Sequence, residues 1–172
     1  MDKRTENPMR SIRIEKVVLN IGCGGDPNKI EKARKLLEIL TGKKPRITLS
    51  KKRSTFGIAK GKPVGVSITL RKKDAYEFLK KALEGIEKKL RASQFDENGN
   101  FSFGIKEYID IPGVKYRHEI GLLGFDVCVS LERPGYRVKK RRIKRSKIGK
   151  NHLINKKEAI EWVKRNFGVE VF

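Results

Sequence analysis

From Ser11 to Ile21 (SIRIEKVVLNI), Ile12 and Ile14 alternate with charged residues, and Val17, Val18 and Leu19 then close up. The pattern predicts a strand with one buried face. Asn28, with Glu31 three residues on, has the form of a capping box and predicts a helix start. Ile30, Ala33, Leu37 and Leu40 follow at helical spacing, and Gly42 supplies the stop. Ile47 to Leu49 is a short strand candidate, and Ser50 to Lys62 is a polar, basic, glycine-bearing loop. In VGVSITL, residues 64–70, the alternation turns Val64, Val66, Ile68 and Leu70 inward. Thr69 and Arg71 then fall on the opposite face.

Asp74 and Glu77 repeat the capping-box spacing, and Leu79, Ala82, Leu83, Ile86 and Leu90 form the apolar stripe of one long helix. NGNFSFGI reads as a turn into a short strand, with Phe101 and Phe103 packing inward or across a hairpin. Glu107–Ile111 and Phe125–Leu131 are two further strands. Asn155, with Glu158 at the third position, opens a last helix lined by Ile160, Val163 and Phe167 and closed by Gly168. The order is β-α-β-β-α-β-β-β, then a basic linker and a helix. Short connections between neighbouring strands favour antiparallel pairing. The predicted fold is therefore α+β: a largely antiparallel sheet with two helices packed on one face and the other face polar and open. Residues 1–135 form one α+β domain, and residues 136–172 a basic C-terminal extension with a terminal helix.

Charge changes this picture most. The 172 residues carry 42 Lys and Arg against 20 Asp and Glu, a formal net charge of +22. From Ile39 to Lys73 there are eleven bases and no acid, and from Arg133 to Lys150 ten bases and no acid. Elsewhere the two signs nearly balance. Two segregated cationic segments repel themselves unless a polyanion is present, so nucleic acid is the expected partner. A membrane surface would call for large apolar residues opposite the bases, and the second segment offers only Val138, Ile143 and Ile148. No run of eighteen apolar residues occurs, and the first twenty lack the apolar segment of a signal peptide, so an intracellular location is expected. Cys23, Cys128, His118 and His152 have no ligand-like spacing. They read as two buried or half-buried thiols and two surface histidines, with no metal or other cofactor expected.

VVLNIGCGG, residues 17–25, resembles the first motif of S-adenosylmethionine-dependent methyltransferases, which raises the alternative of an RNA-modifying enzyme. Three features oppose it. Pro27 stands where a G-x-G-x-x-G turn needs its last glycine, and no acid follows the next strand to hold a ribose. The order then runs strand-strand-helix instead of continuing the β-α alternation. No paired catalytic constellation appears downstream. No enzyme activity is expected, and Gly22, Gly24 and Gly25 are read as turn residues that permit positive φ.

Four stretches carry a more specific resemblance: NPMRSIRIEKVVLNIGCGG, LEILTGKKPRITLSKKRSTFGIAKGKPVGVSITLR, NFSFGIKEYIDIPGVKY and GLLGFDVCVSLERPG. Together, from about Asn7 to Gly135, they resemble the family of large-subunit ribosomal protein five, in its archaeal and eukaryotic branch. The resemblance implies a structural protein of the cytoplasmic ribosome. Its partners would be 5S rRNA, large-subunit rRNA in the central protuberance and the P-site tRNA. They would also include neighbouring ribosomal proteins, among them the other 5S-rRNA-binding protein and a small-subunit head protein.

By motif, the resemblance assigns 5S rRNA contacts to Asn20, Thr69 and Arg71. Lys43, in TGKKP, stands where bacterial members commonly have glutamine, and as a cation it is expected to meet an RNA phosphate. The loop bearing Lys51, Lys52, Arg53, Ser54, Phe56, Lys60 and Lys62 is similar to the family loop that approaches tRNA and rRNA. Phe56 would either stack on a base or plug the loop into the core. The basic tail lies outside the bacterial pattern. Its Arg137, Lys139, Lys140, Arg141, Arg142, Lys144 and Arg145 are expected to thread between rRNA helices. Trp162 is expected to dock on the domain or on a neighbour.

Overall fold

A computed structural model describes residues 7–172 apart from Ser54 and Phe56. β1 (Arg13–Gly22), β2 (Arg46–Leu49), β3 (Pro63–Leu70), β5 (Phe101–Ile105) and β6 (Phe125–Glu132) form one sheet in the order β2-β3-β1-β6-β5. Every pairing in it is antiparallel. α1 (Pro27–Thr41) and α2 (Lys72–Gly85) pack on one face, α1 against β3 and α2 against β1. A parallel pair joins β4 (Lys89–Leu90) to β7 (Glu170–Val171), the latter following α3 (Lys156–Phe167). The α+β class is therefore as expected.

Strict alternation makes one face of this sheet the core. Val17, Leu19 and Ile21 of β1 are buried beside Val66, Ile68 and Leu70 of β3. Phe101, Phe103 and Ile105 of β5 and Phe125, Val127, Val129 and Leu131 of β6 complete the layer. Leu36 and Leu37 of α1 and Phe78, Leu79 and Leu83 of α2 close over it. Each such side chain contributes roughly 1.5–3 kcal/mol of transfer free energy. The uncovered face carries the other parity: Val18, Asn20, Ser67, Thr69, Ser102, Asp126 and Cys128 are all exposed or half-exposed.

Several local expectations change. α1 begins at Pro27, with Asp26 as its cap accepting a hydrogen bond from the Asn28 amide at 3.0 Å, so Asn28 lies inside the helix. Proline at the first helical position and an acid just before it are the stronger start signal. α2 begins at Lys72, directly from the strand and without a side-chain cap, so Asp74 and Glu77 form no capping box. It ends at Gly85, leaving Leu90 buried on β4 and not on a long helix. Glu107–Ile111 is not a strand. Tyr108–Asp110 forms a 3-10 turn that buries Tyr108 and Ile111, three apart, with the Tyr108 hydroxyl accepting from the Arg117 amide at 2.8 Å. Of the glycines after β1, Gly24 (φ 62°) and Gly25 (φ 89°) need the left-handed region, while Gly22 is an ordinary strand residue. Cys128 is exposed and His152 half-buried, its ring within 2.9 Å of the Pro134 carbonyl.

α3 follows its expected boundaries. Asn155 and Glu158 cap each other's ends reciprocally, and Gly168 closes the helix at φ 62°. Ala159, Val163 and Phe167 are buried. Arg133, also buried, pairs with Glu158 at 3.0 Å and donates to the Leu153 carbonyl at 3.3 Å. Tyr136 donates its hydroxyl to the His152 carbonyl and accepts from the Ile154 amide at 3.0 Å. The basic segment is thus tied down at both ends.

Candidate nucleic-acid interface

Pairing register sets the order of groups on the uncovered face. Asn20 faces Ser67 on one side and Asp126 on the other; Ser67 faces Arg46, and Asp126 faces Gly104. The result is a row across all five strands: Arg46, Ser67, Asn20, Asp126, Gly104. The next row reads Thr69, Val18, Cys128, Ser102. Strands stand about 4.8 Å apart, so each row spans roughly 15–20 Å. Asn20 and Thr69 therefore occupy one surface. Ser67, Arg46 and Asp126 join them, and the alternation that exposed Thr69 also applied to Ser67 and Asp126.

Arg71 lies just beyond β3, at the junction with α2, and is exposed. Its guanidinium reaches Glu15, 3.4 Å from the carbonyl and 4.0 Å from the carboxylate. A contact this long from an exposed guanidinium holds little, so the group is available to a ligand. Lys43 is tied to the helical layer by an ion pair with Asp74 in the first turn of α2.

The loop between β2 and β3 leaves the edge of the same sheet. Its base is closed by the Ser50 amide on the Lys62 carbonyl and the Gly61 amide on the Ser50 carbonyl, both at 2.8 Å. Lys51, Lys52, Arg53, Lys60 and Lys62 are all exposed, while Ser54 and Phe56 lie outside the described residues. A β-carbon on Gly25 would sit 3.7 Å from the Lys62 side chain, so the glycine turn and the basic loop are neighbours. The turn itself is no anion cradle, because the Asp26 carboxylate already fills the start of α1.

The tail divides. Lys140 is held by Glu15 at 2.6 Å and Glu132 at 3.2 Å, and Lys139 lies 4.4 Å over the Tyr136 ring. Arg141 donates to the Lys144 carbonyl at 2.8 Å. Arg137, Arg142, Lys144 and Arg145 are exposed. Glu132 also binds Arg13 at 2.8 Å. Burial pushes its carboxyl up, but hydrogen bonds from Lys140 and Arg13 outweigh this and hold it below the usual carboxylate range. On the open face, burial and then the Asp126 charge push the Cys128 thiol up.

Among the described residues no helix is long and apolar enough to cross a membrane. The family model described as ribosomal protein L5 matches residues 7–58, and the model of that ribosomal family's C-terminus matches residues 63–162. The chain is 52% identical to large ribosomal subunit protein uL5 of Nanoarchaeum equitans, covering 96% of this chain and 99% of the relative. It is 48% identical to the uL5 of Sulfurisphaera tokodaii, over 99% and 97% of the two chains. For the uL5 of Pyrobaculum aerophilum the identity is 49%, over 96% and 93%.

Proposed function

The chain belongs to the ribosomal protein L5 family, as a structural component of the large ribosomal subunit and not an enzyme, and on that footing we propose that its open sheet face binds 5S rRNA. The observation that carries this reading is the row Arg46, Ser67, Asn20, Asp126, Gly104. It joins guanidinium, hydroxyl, amide, carboxylate and bare backbone on a face that, among the described residues, no helix covers. Such a mixture suits an irregular RNA surface, where 2′-hydroxyls and base edges must be met as well as phosphates. Asp126 cannot approach a phosphate closely without repulsion, so it accepts from a base amino group or a 2′-hydroxyl. Asn20 and Thr69 beside it offer both donors and acceptors. Arg71 at the rim pairs with phosphate.

The flanking segments extend the interface. Lys51, Lys52, Arg53, Lys60 and Lys62 stand on the exposed β2–β3 loop and serve large-subunit rRNA and the P-site tRNA. Arg137, Arg142, Lys144 and Arg145 serve rRNA from the tail, while Lys139, Lys140 and Arg141 chiefly hold the tail in shape. On the cytoplasmic ribosome the remaining partners are the neighbouring proteins of the central protuberance and a small-subunit head protein.

A filter-binding titration of the full chain with 5S rRNA tests the reading. Saturable binding, weakened by Asn20→Ala with unchanged thermal stability, is expected. Wild-type affinity in Asn20→Ala, Thr69→Ala and Arg71→Ala alike would sink it.

A further inference from the structure

We propose that the cleft between the start of β1, the start of α2 and α3 takes one unstacked nucleotide of the bound RNA. The cleft holds about 570 Å³, within the roughly 300–1,000 Å³ of small-molecule sites. This inference rests on the reading of the open face as RNA-binding.

Aromatic rings supply one wall. Tyr76 of α2 and Trp162 of α3 both line the cleft. Both pack on Phe167, with ring centroids 5.2 Å and 5.8 Å away. Phe167 is buried, whereas Tyr76 is 45% exposed and Trp162 half-buried. An exposed ring held from behind by a buried one is a preformed stacking surface, and a base loses little of the protein's freedom in using it.

Charge supplies the other wall. Arg13, Arg71 and Lys72 line the cleft with Glu15 and Glu132, and Lys140 binds both carboxylates. Three cations thus line the cleft with two acids that Lys140 also neutralises, leaving positive charge for an anion. Lys72 forms no ion pair among the described residues and adopts φ 55°, a left-handed conformation disfavoured for a residue with a β-carbon. The Asn166 amide nitrogen donates to the Trp162 carbonyl at 2.8 Å, which leaves its oxygen free to accept from a base.

Continuity decides for RNA over an acidic protein segment. Arg71 belongs to the cleft and follows Thr69 of the open face by two residues. A strand of RNA leaving the sheet at Thr69 passes Arg71 and reaches the rings, with its phosphate beside Arg71 and Lys72.

Trp162 is the only tryptophan in the chain, so its emission reports on the cleft directly. The full-length protein is titrated with 5S rRNA while emission, acrylamide access and ultraviolet crosslinks are followed. The expected result is saturable quenching, loss of acrylamide access and a crosslink to Tyr76 or Trp162. Tyr76→Ala should weaken binding about fivefold or more, and Tyr76→Phe hardly at all. RNA binding with unaltered Trp162 emission and no crosslink at either ring would overturn the cleft while leaving the sheet reading intact. No RNA binding at all would overturn both. A response to a neighbouring ribosomal protein and not to RNA would make the cleft a protein site and overturn the inference. If Tyr76→Ala fails to fold, emission and crosslinks of the wild-type protein decide alone.

Discussion

Gly22 of β1 pairs directly with Gly65 of β3, yet the two glycines do different work. A β-carbon on Gly65 would lie 2.5 Å from the Ile21 carbonyl oxygen, whereas one on Gly22 would meet nothing within 4 Å. Gly65 is required by the neighbouring backbone, and Gly22 leaves bare chain two residues along β1 from Asn20. Gly22→Val should therefore fold with near-native stability, since a β-branched residue suits a strand, and should lose 5S rRNA affinity. Gly65→Ala should be destabilised by about 1–3 kcal/mol. Thermal melts and filter binding on the two variants separate these outcomes.

Arg71→Ala should weaken 5S rRNA binding by about 1–3 kcal/mol. Its stability should change by less than about 1 kcal/mol, because the pairing with Glu15 is long and Arg71 itself is exposed. Equal losses in both measurements would mean that the residue is structural.

Lys140 and Arg142 should behave oppositely despite sitting two apart. Lys140→Met removes the shared partner of Glu15 and Glu132 and should cost about 1–2 kcal/mol in denaturant unfolding, between exposed and buried pairs. Replacing Arg142, Lys144 and Arg145 by alanine should leave unfolding unchanged. It should lower the slope of log affinity against log salt by about one for each phosphate that these side chains neutralise. An unaltered slope would remove the tail from the RNA interface.

Stability should fall on acidification partly through Glu132. Its folded pKa is depressed, so its contribution is fully present above the ordinary carboxylate value of about 4.3 and is lost as pH falls through the lower folded value. Glu132→Gln should show a smaller drop between neutral and acid pH than the wild type in urea titrations. An identical drop would rule out this linkage.

Cys128 is exposed on the open face and Cys23 is buried, so alkylation footprints that face at one position. Burial and the nearby Asp126 raise the Cys128 thiol, so labelling should be slow near neutrality and quicken as pH rises. Bound 5S rRNA should protect it. Unprotected Cys128 in a saturated complex would place the RNA elsewhere.

The chain alone determined which residues face the core. Period-two alternation in VGVSITL and FDVCVSL, and helical spacing at Ile30, Ala33 and Leu37, survive folding because burial acts on side-chain direction residue by residue. Thr69 was legible on the outer face for the same reason, and the acid-free segments for the simpler one that charge needs no fold to be counted. Local starts and stops were less legible. The apparent capping boxes at Asn28 and Asp74 lost to Asp26-Pro27 and to a strand running straight into α2. Tyr108 and Ile111, three apart, would face opposite sides of a strand, and a 3-10 turn buries both.

Only the tertiary structure decided who stands beside whom. Register, fixed by backbone hydrogen bonds between segments up to about a hundred residues apart in sequence, set Asn20 between Ser67 and Asp126. Packing of α3 against α2 brought Tyr76 onto Phe167, which Trp162 of the same helix already touches. Ion pairing tied Lys140 to Glu15 and Glu132 while Arg142, two residues on, made no ion pair among the described residues. A basic residue in sequence carries only its charge; whether that charge is spent on the protein or left for RNA depends on which carboxylates folding puts within reach.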